Sequence, residues 1–441
     1  MPVREVMEEN EERTLYNPSR ASPCEIDLQC TRNTGNAGQV SEVGRDGDKG
    51  KGEGPAVVLK RTEEFLDGER KAAGFAPWGN PVDETTGQVF TGPGFLDHKW
   101  KCSGKEILMV ARRYPFRVSR HYAGLIRDPG DPIWRQVMPD PAELEDSDGF
   151  EDPLAEERLS PVPNLVHRYP NRVLWLVSHE CALHCRFCTR KRRWEKPRPM
   201  TDESFGAGLA YIEGHRQVQD VLLSGGDPLL LPFHRLENIL RELRRIRHVQ
   251  IVRIGTRVPC ALPERITENL AAMLKQYHPI YVNIHFNHPL EINPQSSRAC
   301  ALLADAGIPL GSQTVLLKGV NDDSGVLAEL FQGLLVLRVR PYYLMQMDLT
   351  RGTSHFRTPV STGIRLLQSL RNRISGPAMP HFVVDLPGGH GKIPLVPQYV
   401  EEIRPDSMVL RDYLGSLCVY PLLQGEAADL KQWIRITPPA P

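Results

Sequence analysis

Short apolar, β-branched runs recur from about residue 160 onward: "RVLWLVS", "QDVLLSGG", "QIVRIGTR", "PIYVNIHF", "GSQTVLL" and "RPYYLMQMD". Between most of them lie amphipathic stretches of helical length, such as "FHRLENILRELRRIR", "LPERITENLAAMLKQY" and "QSSRACALLADAG". Strands apolar along their whole length are buried on both faces, and alternation with helices predicts a parallel sheet of about six strands. Residues able to do chemistry follow the C-terminal ends of successive strands. Three cysteines follow "RVLWLVS"; Gly225, Gly226 and Asp227 follow "QDVLL"; Asp348 closes "RPYYLMQMD". A barrel collects its site from many strand ends on one face, whereas an open sheet uses one crevice. The pattern therefore predicts an α/β protein built on an incomplete (β/α)6-type TIM barrel.

The flanking segments lack this regularity. The stretch "TRNTGNAGQVSEVGRDGDKGKGEGP" cannot bury enough apolar surface to offset its ordering entropy. Residues 1–58 are therefore expected to form a disordered extension, and 59–160 a partly helical region broken by Pro and Gly. The barrel is expected over 161–355, and a C-terminal region over 356–441.

Charge changes the picture by exclusion. Lys+Arg and Asp+Glu balance at 54 each, so no overall field favours nucleic acid or an anionic membrane. No apolar run approaches the roughly 20 residues that span a bilayer. The polar N-terminus lacks the apolar core of a signal peptide. A cytoplasmic protein with neither nucleic-acid nor membrane partner is the expectation. The basic runs "RKRR" and "RELRRIR" keep one rival reading open, a zinc-stabilised nucleic-acid-binding protein.

Nine cysteines form an odd set, and only Cys181, Cys185 and Cys188 cluster, at spacing C-x3-C-x2-C. This argues against a disulfide framework and for metal or redox chemistry. A structural zinc site wants four ligands, and His184 or His179 would have to supply the fourth. Three thiolates suffice for an iron–sulfur cluster that keeps one iron open. Spacing alone favours the cluster modestly and leaves zinc open.

The cysteine spacing after the first barrel strand resembles the radical S-adenosylmethionine superfamily, and "SGGDPLLL" after the next strand resembles its glycine motif. Longer segments narrow the match. "SPVPNLVHRYPNRVLWLVSHECALHCRFCTRKRRW", "VRIGTRVPCALPERIT", "VNIHFNHPLEI", "LLADAGIPLGSQTVLLKGVND", "RVRPYYLMQMDLTRGTSHFRTPVSTGI" and "HFVVDLPGGHGKIPLVPQYV" resemble, in order, the lysine 2,3-aminomutase family over roughly 130–410. The resemblance implies a 4Fe–4S cluster on the three cysteines and S-adenosyl-L-methionine on its open iron. It places Gly225, Gly226, Asp227 and Gln313 near that cofactor. It makes Lys392 the Schiff-base lysine of pyridoxal 5'-phosphate, with Arg168, Tyr169 and Arg172 on the phosphate. Without the resemblance, Lys392 reads as a solvated lysine after a glycine cluster.

The resemblance also implies a substrate. Arg190 matches the arginine that pairs with the substrate α-carboxylate, and Asp348 and Asp385 match the aspartates that hold a distal ammonium. Two carboxylates around one desolvated cation are favourable; facing another carboxylate they repel. An isomerase that moves the α-amino group of L-lysine to the β-carbon is expected, with arginine or another basic amino acid as the alternative. An electron donor such as flavodoxin or ferredoxin is implied, and a homo-oligomer is compatible with the family. Two departures stand out. Asp323 and a solitary Cys418 occupy the region where relatives carry zinc cysteines, so no structural zinc is expected. Met345 stands where relatives carry a tyrosine. Arg192 and Arg193 are expected on a solvated or acid-paired face.

Overall fold

The computed structural model describes residues 89–91, 105–146, 149–194 and 196–434. The expected extension over 1–58, with Cys24 and Cys30, lies outside these residues, as does Cys102. An N-terminal layer contains β1 (Val89–Thr91), α1 (Lys105–Arg113), β2 (Arg117–Ser119), α2 (Arg120–Gly124), α3 (Pro132–Val137) and α4 (Ala142–Glu145).

The main sheet follows. Its strands are β3 (Leu165–Tyr169), β4 (Arg172–Ser178), β5 (Asp220–Gly225), β6 (Ile251–Thr256), β7 (Ile280–Ile284), β8 (Leu310–Leu316), β9 (Val339–Gln346), β10 (His381–Leu386) and β11 (Gly391–Pro394). They hydrogen-bond in strict sequence order, β3 to β11. Neighbours from β4 through β10 are parallel, while β3 and β11 run antiparallel at the two edges. β3 and β11 do not pair with each other among the described residues, so the barrel stays open. All six apolar runs are strands, and β10 adds a seventh parallel strand that carries the sheet past residue 355.

Helices cross between successive strands: α5 (Asp202–Gly214), α6 (Phe233–Arg245), the short α7 (Val258–Ala261), α8 (Glu268–Lys275), α9 (Pro294–Asp305), α10 (Ser324–Val336) and α11 (Val360–Leu370). Their starts are written in the sequence. Thr201, Thr267, Asn293 and Asp323 accept hydrogen bonds from backbone N–H groups of the first turn, satisfying donors a helix leaves open. Asp323, noted above as a departure from relatives, thus caps α10. The core lies between the sheet and these helices. Trp175 of β4 stacks on Phe205 of α5 with ring centroids 5.4 Å apart. Gly208 lets α5 approach that indole; a Cβ there would sit 2.7 Å from Trp175 Nε1.

A small antiparallel sheet, β12 (Val400–Ile403), β13 (Ser407–Arg411) and β14 (Leu417–Pro421), precedes the last helix, α12 (Glu426–Trp433). Cys418 lies exposed on β14. No described helix is long and apolar enough to cross a membrane.

Candidate active site

The cysteine loop leaves the end of β4 and is fixed from three sides. Gly226 N and Asp227 N, just past β5, donate to the carbonyls of Ser178 and Glu180 at 2.7 and 2.6 Å. This approach requires the glycine pair. A Cβ on Gly225, at φ +123°, would lie 2.1 Å from Ser178 O, and one on Gly226 2.2 Å from Glu180 O. Asp227 turns its carboxylate into the fold, accepting from Thr256 Oγ1 and from the backbone N–H groups of Leu229 and Arg257. Burial pushes its carboxyl up to about 6, with those donors acting against the rise.

The second side is a buried charge network. Glu143 of α4 accepts both Nε and Nη2 of Arg186 at 2.9 and 2.6 Å, and Nζ of Lys191 at 2.5 Å. Lys191 also donates to Gly352 O past β9. The third side is Arg257, after β6. Its Nη1 donates to Cys185 Sγ at 2.9 Å, and its Nη2 pairs with buried Glu291 at 2.7 Å. Cys188 Sγ accepts from Arg190 N at 3.4 Å. Burial and the neighbouring thiols raise the pKa of Cys181 well above its usual value, and push Cys188 up to about 11. Among the described residues, no three His, Cys, Asp or Glu side chains gather as tightly as one metal ion requires.

The second half of the site lies on β3, β9, β10 and β11. Asp385 and Lys392 face each other on the β10–β11 hairpin, and Lys392 Nζ is ion-paired to Asp385 Oδ2. Arg168 Nη1 donates to the other carboxylate oxygen at 2.8 Å. Tyr169 OH accepts from Lys392 N at 3.0 Å, and the Arg172 guanidinium lies 4.2 Å over the Tyr169 ring. Arg172 Nε is buried without a hydrogen-bond partner. Asp348, just past β9, completes the group. Burial, then Asp385, pushes its carboxyl up to about 7, with Lys392 and Arg168 pulling the other way. Gln313, on β8, hydrogen-bonds His285, a ring held down to about 4 by burial and by Arg257 and Arg190.

Cys181, Cys185, Cys188, Gly225, Gly226, Asp227 and Arg190 lie in the first half, and Arg168, Tyr169, Arg172, Asp348, Asp385 and Lys392 in the second; Gln313 stands on β8 beside His285, while Asp323 and Cys418 lie outside both. What the sequence did not disclose is the segment joining the two halves. Residues 149–160 run as a strap across strand ends. Phe150 bridges to Thr350, Pro153 O accepts from Gly388 N at 2.9 Å, and Leu154 O accepts from Arg168 Nη2 at 3.4 Å. Glu156 on this strap takes Arg190: Nε and Nη2 donate to its carboxylate at 2.9 and 2.6 Å. Burial pushes the Glu156 carboxyl up, but Arg190, with help from Arg193 and Arg192, outweighs it and holds the group below its usual range. Arg192 pairs with Asp152 at 3.0 Å, so its face is the acid-paired one. The sequence signal was an acidic stretch, "EDPLAEER", complementary to "TRKRRW". The other basic run is absorbed by the fold: Arg244 donates to the carbonyls of Tyr277, Val249, Gln250 and Pro279.

An open parallel barrel with a three-cysteine loop on one strand end and a glycine pair on the next defines the class. Residues 175–331 match the family model described as Radical SAM superfamily, and residues 367–432 the model described as Lysine-2,3-aminomutase. The L-lysine 2,3-aminomutase of Clostridium subterminale is 50% identical, covering 69% of this chain and 74% of that protein. That of Methanococcus maripaludis is 47% identical, covering 77% and 78%. The glutamate 2,3-aminomutase of Clostridioides difficile is 41% identical, covering 74% and 78%. The chain belongs to the lysine 2,3-aminomutase family of the radical SAM superfamily.

Proposed function

We propose that this chain is an amino acid 2,3-aminomutase that converts L-lysine to L-β-lysine. It would use a 4Fe–4S cluster, S-adenosyl-L-methionine and pyridoxal 5'-phosphate, with a flavodoxin- or ferredoxin-type protein as electron donor. One observation carries the choice of substrate: Asp348 and Asp385 converge on the group that contains Lys392. Paired buried carboxylates bind a cation and repel the side chain of glutamate.

The residues suit these groups. Hydrogen-bond donors directed at Cys185 and Cys188 sulfurs stabilise thiolates, as cluster ligation needs. The unpartnered Arg172 Nε, beside Tyr169 and Arg168, suits a phosphate. Gly388, Gly389 and Gly391, all at positive φ, turn the backbone tightly beside Lys392; a Cβ on Gly391 would stand 3.0 Å from Tyr169 OH. When bound, the cofactors supply hydrogen abstraction from an unactivated carbon and a carbonyl to carry the migrating amino group.

This chain's own residues do the rest. Cys181, Cys185 and Cys188 hold the cluster, and the loop bonds to Gly226 and Asp227 keep it at the mouth of β4 and β5. Gly225, Gly226, Asp227 and Gln313 border S-adenosylmethionine. Arg168, Tyr169 and Arg172 hold the phosphate, and Lys392 offers its amine. Arg190 takes the α-carboxylate while Asp348 and Asp385 take the distal ammonium, so the amino acid is clamped at both ends. A substrate fixed at both ends presents its β-carbon in one place, which gives radical chemistry its selectivity.

The test is a substrate panel. Anaerobically purified, iron-loaded protein is offered lysine, arginine and glutamate, and β-amino products are counted. Lysine should react; turnover of glutamate alone would overturn the reading of the aspartates.

A further inference from the structure

The strap crosses both halves of the site, and the side chain of Glu156 on it is buried, 2% exposed. Ala155, just before it, holds φ +50°, a conformation L residues seldom adopt without a surrounding that enforces it. On one side of this turn Leu154 O receives Arg168; on the other Glu156 receives Arg190. Asp152 and Pro153 anchor the strap to Arg192 and Gly388.

The contact has a direction. Glu156 occupies the Nε–Nη2 edge of the Arg190 guanidinium. Nη1 reaches Gly225 O at 3.3 Å and Ser224 Oγ at 3.5 Å. A guanidinium carries five N–H donors in a rigid plane, so its Nη1–Nη2 edge keeps donors that Glu156 does not use. Arg192 lies 3.5 Å from the same carboxylate and offsets the repulsion a second carboxylate would meet.

We propose that Glu156 is a positioning residue for substrate carboxylate recognition. It grips Arg190 by one edge so that the Nη1–Nη2 edge is presented to the α-carboxylate of the amino acid. This rests on the reading of Arg190 given above. Specificity for an α-amino acid over a simple amine then depends on a residue 34 positions upstream of Arg190.

The experiment compares two ligands on the holoenzyme, lysine and 1,5-diaminopentane, which is lysine without its carboxylate. Binding is read from the change in pyridoxal absorbance. Glu156→Gln should weaken lysine by about tenfold or more, the usual scale for losing a charge-assisted hydrogen bond, and leave the diamine unchanged. In an Arg190→Met background the same substitution should add nothing. Glu156→Asp, which keeps the charge, should weaken lysine less and serves alone if the glutamine variant does not take up its cofactors. Equal loss for both ligands, no loss for lysine, or tighter lysine binding would each overturn the proposal. If Arg190→Met itself leaves lysine binding untouched, the assignment of Arg190 fails first, and that result is separable from the others.

Discussion

Asp348 has a carboxyl pushed up to about 7, so it is neutral across the acid range where an ordinary aspartate is charged. On the proposed reading the substrate ammonium needs the anion. The KM for lysine should therefore rise as pH falls below about 7, and Asp348→Asn should raise KM and flatten that limb. A KM constant from about pH 6 to 8 in the parent enzyme would count against the role. Lys392→Ala should purify without pyridoxal absorbance while keeping its iron. At this scale the sequence was informative where chemistry imposes spacing. The cysteines stood out unaided, and resemblance supplied Lys392 and the aspartates. Glu156 was not visible, because its partner lies in another segment and its direction depends on the backbone turn at Ala155.

Elements, not single contacts, carry the aspartates and cysteines to the mouth of the barrel. β10 is held against α11, where Gly363 faces Phe382; a Cβ there would lie 2.1 Å from the ring. Gly363→Ala should overpack this contact, cost about 1–3 kcal/mol in thermal unfolding and raise the KM for lysine by displacing Asp385. Gly225→Ala meets backbone at the end of β4, where the cysteine loop begins, and should lower both stability and iron content. The apolar runs located all of β4–β9 because a buried parallel strand leaves little freedom in composition. The helix read over "LPERITENLAAMLKQY" is shorter than its pattern, since Thr267 caps a new start and only Glu268–Lys275 is α-helical. β10, as long as β5 and β6, escaped the strand count because it runs straight into the Pro387–Gly389 turn.

The whole molecule is tied together by charges that the balanced composition conceals. Glu143 links the N-terminal layer to the cysteine loop through Arg186 and Lys191. Burial pushes its carboxyl up, but Arg186 and Lys191 outweigh this and leave it below its usual value. A lowered carboxyl contributes stability that is present above its unfolded pKa and lost as pH falls through the folded one. Glu143→Gln strands two buried cations, and should cost about 3–5 kcal/mol in unfolding, with release of iron, at neutral pH. No period or propensity announces such a link, because α4 lies in the region of weakest pattern.

The pairing of Lys392 with Asp385 reaches further than charge balance. In this fold the aspartate already greets an ammonium, and it is the chain's own. On the proposed reading, a Lys392 engaged by pyridoxal phosphate would leave Asp385 to the ammonium of the amino acid. The hairpin would then work as a turnstile, admitting cofactor before substrate. Calorimetry of the cofactor-stripped protein with lysine should accordingly register no binding, and added pyridoxal phosphate should restore it.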